Sequence, residues 1–339
     1  MPKNILLYGA GDDFASFIRM KKEYKDLFKD NIVGVVDSSP QKVGIVKCGY
    51  KIKIFNEFKN IDWDIVVITS SNYATEIRDK LISEYGVNDN CIYNLNDYKT
   101  SRIIEYQYNR NHKRIGYHRN KFSSESLVVY TGIFGSYDDL KDPLVVDPGV
   151  HYICYTDQDN IESSVWEIRK VKENKLPADI LTRKIKLLPH EYLNEFKTSI
   201  WIDASFQITR SLIELINKYQ YQSDILLFPH FDRICIYDEA AACMILHKEN
   251  KEKIIRQVME YYKQGYPINN GLYCGGFIVR NHNVSKIKKT MEAWYKQVKE
   301  YSCRDQISLP YVLFRESVPV DLFDMNIYDN EWIRYCKHI

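Results

Sequence analysis

The strongest constraint on this chain is a repeated pattern: a short apolar run ends in glycine or aspartate, and a helical stretch follows. Asn4–Tyr8 runs into Gly9-Ala10-Gly11. Ile32–Val36 ends at Asp37, and Ile65–Thr69 precedes a helical stretch over Tyr73–Tyr85. Cys91–Leu95 reads as a last strand of this part. Continuous apolar strands alternating with helices predict a parallel sheet covered on both faces. The pattern restarts at Leu127–Thr131, His151–Thr156 and Ser199–Ile202. Ile225–Phe228 and Gly275–Arg280 are further strands. Helical stretches are expected at Arg183–His190, Tyr237–His247, Lys251–Gln264 and Val284–Tyr301. With 339 residues the chain has room for two domains. We place them at 1–98 and 124–339.

Charge separates the same parts. Residues 1–98 are net −1, residues 99–123 net +6 and residues 124–339 net −3. The middle segment, Lys99–Lys121, reads as a basic linker or helical arm. It is either a solvated connector or a peripheral contact with an anionic membrane face or polyanionic acceptor. No run approaches the length and apolarity of a membrane span. The first residues read as a buried strand and not a signal peptide. The 8 cysteines are scattered without a CxxC pair, which argues against zinc ribbons and redox motifs. Reduced thiols in apolar stretches suit a cytoplasmic protein, possible also at the inner face of the membrane. No feature calls for nucleic acid, and the oligomeric state is not readable.

Two groups of residues carry chemistry. The first is Gly9-x-Gly11-x-x-Phe14 with Asp37 at the end of the next strand, a partial dinucleotide fingerprint. Phe14 replaces the third small residue, and Asp12 and Asp13 would repel a pyrophosphate at the helix start. This stretch resembles small Rossmann-like domains attached to bacterial polysaccharide-biosynthesis enzymes.

The second group lies in the second domain. Ser199-Ile-Trp-Ile-Asp203-Ala-Ser205 is a strand ending in a carboxylate and then a hydroxyl. In α/β sheets the carboxyl end of a strand faces the ligand crevice, and hard cations take oxygen ligands. Asp203 is either such a ligand or a strand-end cap. Arg183-Lys-Ile-Lys186-Leu-Leu-Pro-His190 supplies positive charge just before it. Tyr130-Thr131-Gly132-Ile-Phe134-Gly-Ser-Tyr137-Asp138 follows the first strand, where a base and ribose would lie, and Asp157 closes the second strand. Tyr273-Cys-Gly275-Gly276 lets backbone approach a ligand closely. Arg304-Asp305-Gln306 sets a carboxylate beside an amide, a pair suited to sugar hydroxyls. His230, Arg233, Tyr237 and Glu239 form either a sugar or acceptor site or a structural ion-pair cluster.

These motifs together resemble GT-A-fold glycosyltransferases, above all the plant mucilage-type glycosyltransferase-like family, formerly a domain of unknown function. The likeness covers about residues 127–316, and a more distant one is to glycogenin-type transferases. The resemblance implies a fold of a Rossmann-like parallel-sheet domain followed by a GT-A-like domain. It implies a hexosyltransferase-type enzyme moving sugar from a nucleotide-diphosphate sugar, UDP-sugars favoured, to a bacterial surface polysaccharide or glycan acceptor. Carried over by motif, Lys186 contacts donor phosphate or sugar. Asp203, with Ser205, holds Mn²⁺ or Mg²⁺, and Asp305 and Gln306 address the transferred sugar, with Asp305 or Glu239 as base or charge stabiliser. Ser205 stands where glycogenin-type enzymes have a second aspartate. A further metal ligand would then come from elsewhere, with His230 and His338 candidates by position. Two rivals remain open: an NAD(P)-dependent sugar-modifying enzyme using the Gly9–Phe14 loop, and a non-catalytic partner in a polysaccharide assembly complex.

Overall fold

The computed structural model describes residues 2–112, 126–135, 138–171, 176–219 and 223–336. The chain divides into two compact units, 1–106 and 107–339.

The first unit has six strands and the start of a long helix. They are β1 (Asn4–Tyr8), α1 (Asp12–Glu23), β2 (Asn31–Val36), β3 (Val46–Lys47), β4 (Tyr50–Lys53), β5 (Ile65–Ile68), α2 (Ala74–Ser83), β6 (Ile92–Asn94) and α3 (Leu95–His112). The sheet order is β3-β4-β2-β1-β5-β6, parallel except for the β3–β4 hairpin. The hairpin was not expected from the sequence, because Lys47-Cys48-Gly49-Tyr50-Lys51 carries no apolar run. Of the basic segment 99–123, residues 99–112 continue α3, and the remainder lies outside the described residues.

The glycine loop after β1 is closed by its own neighbours. Gly9 has φ +109°, a region L-residues avoid, and a Cβ there would stand 2.9 Å from Cβ of Ser70. Asp37 Oδ2 accepts from the Ala10 N–H at 2.9 Å and pairs with Lys42 at 3.0 Å. Lys47 Nζ donates to the carbonyls of Ala10 and Gly11. Phe14 is fully buried and packs edge-on against Tyr50. Asp13 accepts from the Ser71 backbone and hydroxyl, bonds that hold its carboxyl below the usual range.

The second unit runs β7 (Leu127–Ile133), β8 (His151–Thr156), β9 (Glu167–Lys170), α4 (Ala178–Leu187), α5 (Pro189–Tyr192), β10 (Thr198–Ile202), β11 (Phe206–Ile208), α6 (Leu212–Lys218), β12 (Ile225–Pro229), α7 (Ile236–Ile245), α8 (Lys251–Lys263), β13 (Tyr273–Arg280), α9 (Ser285–Glu300), α10 (Asp305–Arg315), β14 (Asp321–Leu322) and β15 (Ile333–Tyr335). The helix expected over 183–190 is two helices. Pro189 cannot continue α4 and instead opens α5, since proline suits a first helical turn.

The main sheet has order β14-β12-β13-β10-β7-β8-β9. The strands β10, β7, β8 and β9 are mutually parallel, and β13 runs antiparallel to both β10 and β12. The chain leaves β7 toward β8 and β9, then returns to β10 on the other side of β7. That reversal opens a crevice beyond the carboxyl ends of β7 and β10. Two apolar layers hold the sheet: Trp201, Tyr130 and Ile278 belong to one, and Ile200, Ile202 and Phe277 to the other. The period-2 alternation of strand side chains sends Trp201 to the first and its neighbours to the second. Both units are therefore α/β with parallel strands, as the sequence implies.

Candidate active site at the carboxyl ends of two parallel strands

A cleft of about 760 Å³ opens at this crevice. Five places supply most of its walls. The end of β7 gives Gly132, Phe134 and Gly135, and α4 gives Arg183 and Lys186. The end of β10 gives Trp201, Asp203 and Ser205, β13 gives Gly275 and Gly276, and the start of α10 gives Arg304, Asp305 and Gln306.

The centre of the cleft is a buried lysine between two carboxylates. Lys186 Nζ lies 2.6 Å from Asp305 Oδ2 and 3.6 Å from Asp203 Oδ1. It also sits 5.7 Å from the centre of the Trp201 ring. Lys186 and Asp305 are buried, whereas the Asp203 side chain is 40% exposed. Burial by itself would raise the Asp305 carboxyl. Lys186, then Arg183, outweigh that and hold it near about 2. Asp305 is thus ionised at neutral pH. The Trp201 indole N–H donates to Asp203 Oδ1 at 2.6 Å, fixing that oxygen, while Oδ2 lies by Gly276.

The two glycines matter as space. A Cβ on Gly275 would stand 3.1 Å from Lys186 Nζ and 3.4 Å from Asp305 Oδ2. A Cβ on Gly276 would stand 3.2 Å from Asp203 Oδ2 and 3.0 Å from the Phe206 ring. Any larger residue would push into the charged triad.

Helix α4 is anchored so that Lys186 reaches its place. The Lys186 carbonyl accepts from the Tyr130 hydroxyl at 2.8 Å and from Arg280, which also binds that hydroxyl. Arg280 is fully buried, with no carboxylate within ion-pair reach among the described residues. Arg183 Nε donates to the Cys303 carbonyl at 3.1 Å, tying α4 to the loop before α10. The Gln306 amide donates to the Tyr273 carbonyl.

Several sequence candidates stand elsewhere. Thr131 is buried and absent from the cleft lining, and Asp157 accepts from the N–H of Gly135, which lines the cleft. The His190 side chain is largely covered and burial lowers its pKa, so Glu292 at 3.4 Å faces a neutral ring at neutral pH. His230, Arg233 and Glu239 form an interior cluster off the cleft lining. His230 Nδ1 accepts from the N–H groups of Asp232 and Arg233. Burial, then Arg233 and Lys248, pushes its pKa to about 3. Arg233 donates to Glu239, which also receives Cys243 Sγ. Tyr237 donates to the Tyr266 carbonyl. Tyr137 and His338 lie outside the described residues.

The cleft also holds residues the sequence did not single out. Lys248 and Glu249 come from the α7–α8 turn, and Asp179 and Thr182 from α4. Arg304, whose Nε has no hydrogen-bond partner, faces the same space. Tyr335 reaches it because β15 pairs with β11 and sets Tyr335 edge-on against Phe206, and Tyr328 packs against both rings. Arg304 was visible as the neighbour of Asp305. The two tyrosines gave no signal, since a short C-terminal ribbon has no periodicity to read.

Could the site hold a divalent cation? Among the described residues no three His, Cys, Asp or Glu side chains converge as a metal-binding group. The cleft offers one carboxylate oxygen of Asp203 and the Ser205 hydroxyl. That set fits a hard cation only when the remaining ligands are phosphate oxygens and water.

Comparison with known proteins follows the same division of the chain. A model of the C2185-like N-terminal domain matches residues 1–93. No curated protein matches the chain. The model of the TOD1/MUCI70 glycosyltransferase-like domain matches residues 113–337, which include every residue of the cleft. Given a match over most of its length, the chain belongs to the TOD1/MUCI70 glycosyltransferase-like family.

Proposed function

We propose that the cleft binds a nucleotide-diphosphate sugar and transfers its sugar to a glycan acceptor. The observation that carries this reading is Lys186 held between Asp203 and Asp305 at the sheet's switch point, in a chain of a glycosyltransferase-like family. The diphosphate lies against the cationic side of the cleft, near Arg183 and Arg304, while Asp305 and Gln306 meet the sugar. Asp203 and Ser205 would hold Mn²⁺ or Mg²⁺, which supplies charge neutralisation on the diphosphate.

As the bond from the anomeric carbon to the diphosphate lengthens, negative charge grows on the leaving group and positive charge on the sugar ring. The fixed cations of Lys186 and Arg304 answer the first change, and Asp305, ionised at neutral pH, answers the second. Fixed geometry lowers the cost of aligning donor and acceptor. Trp201 and Phe134 wall the cleft and limit water. Hexose transfer, a UDP-sugar donor and a bacterial surface glycan as acceptor complete the proposal, and rest on the family resemblance.

The test is a thermal-shift screen of UDP, GDP, CDP and ADP sugars with Mn²⁺ or Mg²⁺, followed by turnover of whichever donor stabilises. A ligand present at 100 times its Kd stabilises by about 2.7 kcal/mol. The proposal expects a cation-dependent shift with at least one donor. A screen in which no donor shifts the melting temperature, with or without cation, removes it.

A further inference from the structure

One wall of the cleft differs in chemistry from the rest. Phe206, Ile327, Tyr328 and Tyr335 line it, and none of them carries charge. A Cβ on Gly276 would stand 3.0 Å from the Phe206 ring, 3.5 Å from Ile327 and 3.2 Å from Asp203 Oδ2, so this wall begins beside Asp203. Between ring centres, Tyr328 lies 5.7 Å from Phe206 and 5.2 Å from Phe231. Phe206 follows β10 and Phe231 follows β12, and β13 lies between those two strands. The wall is therefore on the β13 side of Asp203, whereas β7 pairs with β10 on its other side. The cations that line the cleft come from α4, the α7–α8 turn and the start of α10.

The two tyrosines are exposed and yet held in place. Tyr328 is 49% exposed and Tyr335 38%. Their rings stand 5.2 Å apart at 86°, and both pack on Phe206. The Asn326 side chain accepts from the Tyr328 N–H. The Asn330 amide donates to the carbonyls of Asn326 and Ile327, while its oxygen accepts from the N–H groups of Trp332 and Ile333. Trp332 and Ile333 are buried, and Tyr335 sits opposite Phe206 in the β15–β11 pairing. Rings fixed in this way lose little freedom when a ligand arrives. A pyranose ring suits them. Its axial C–H bonds form an apolar face that packs on an aromatic ring, and its hydroxyls stay free at the rim to hydrogen-bond. Among the described residues this wall carries no cation, so nothing on it favours an anionic ring.

We propose that Tyr328 and Tyr335, backed by Phe206, form a stacking platform for an uncharged pyranose ring of the acceptor glycan. Calling that ring the acceptor rests on the transfer reaction proposed above; the platform as a sugar-binding surface does not. The base and ribose of a donor would take the β7 side of Asp203, which leaves the β13 side for the acceptor. A ring on the platform would lie next to Asp203, beside the charged centre of the cleft.

The full chain, without donor, is applied to an array of immobilised neutral and uronic-acid oligosaccharides. The expected result is binding to neutral oligosaccharides. Tyr328→Ala should weaken it at least about tenfold, and Tyr328→Phe, which keeps the ring, less than about threefold. The thermal shift given by a stabilising nucleotide sugar should be the same for Tyr328→Ala as for the wild type. Tyr335→Ala takes the place of Tyr328→Ala should the latter lower the melting temperature of the free chain. No binding to neutral glycans, wild-type binding by the alanine variant, or equal losses in Tyr328→Phe and Tyr328→Ala overturns the proposal. So does loss of the donor's thermal shift in Tyr328→Ala, which would assign the platform to the nucleobase. If no donor shifts the wild type and the array result holds, the transfer reading falls and the platform stands as a glycan-binding site.

Discussion

Replacing Asp305 by asparagine keeps the shape of the side chain and removes its charge. Lys186 then remains buried with Asp203 as its nearest carboxylate, at 3.6 Å. The magnitude follows from the carboxyl's pKa, about 2 in the folded chain against about 3.9 unfolded. The gap corresponds to about 2–3 kcal/mol of stability at neutral pH. Removing one partner of a buried ion pair costs a comparable 3–5 kcal/mol or so. The sign is set by the depressed pKa: the contribution is complete above the unfolded value and fades as pH falls through the folded one. Urea unfolding followed by tryptophan fluorescence suits the measurement. Trp166, Trp201, Trp294 and Trp332 are in the second unit and only Trp63 is in the first. Asp305→Asn should lose about 2–3 kcal/mol at pH 7, and its deficit should narrow below about pH 4. Equal midpoints for the two proteins at pH 7 would refute the claim that a buried ion pair holds the cleft together.

The glycine contacts predict that Gly275→Ala displaces the Lys186 ammonium. It should cost about 1–3 kcal/mol in urea unfolding and a larger share of donor affinity by calorimetry. Histidines 230 and 282 are held neutral by burial, at about 3 and about 4. Each should therefore reduce stability by up to about 1.4 kcal/mol per pH unit below pH 6.5, read from melts between pH 8 and 5. Imidazole NMR signals of His230 that titrate near 6.5 would contradict this. Because Asp37 is spent on Ala10 and Lys42, calorimetric titration of the full chain with NAD⁺ or NADP⁺ should give no binding heat.

The sequence was most informative where burial dictates pattern. Strands β1, β5, β7 and β10 are almost wholly buried because both faces are covered, and the ends of β7 and β10 mark the cleft. Lys186, Asp203, Asp305 and the two glycines of β13 were legible because a strand end or a short motif carries each. The pairing of Lys186 with Asp305, 119 positions apart, was not, since only the tertiary fold brings α4 and α10 together. His230 and Glu239 also look chemical in sequence, and the fold buries both without putting them in the cleft lining. A neutral imidazole that accepts two backbone N–H groups organises the turn after β12. The small pieces β3, β9, β11, β14 and β15 escaped notice because strands of two to four residues hold too little pattern.

The central claim is that Asp203 and the Lys186–Asp305 pair form a sugar-transfer site. Its most direct test is release of nucleoside diphosphate from the stabilising donor with Mn²⁺, comparing the wild type with Asp203→Ala. Asp203→Ala leaves the buried Trp201 indole N–H unpaired, at a cost of about 1–3 kcal/mol, so turnover is compared well below the variant's melting temperature, where it should fall at least about a hundredfold. Full turnover by Asp203→Ala would contradict the account.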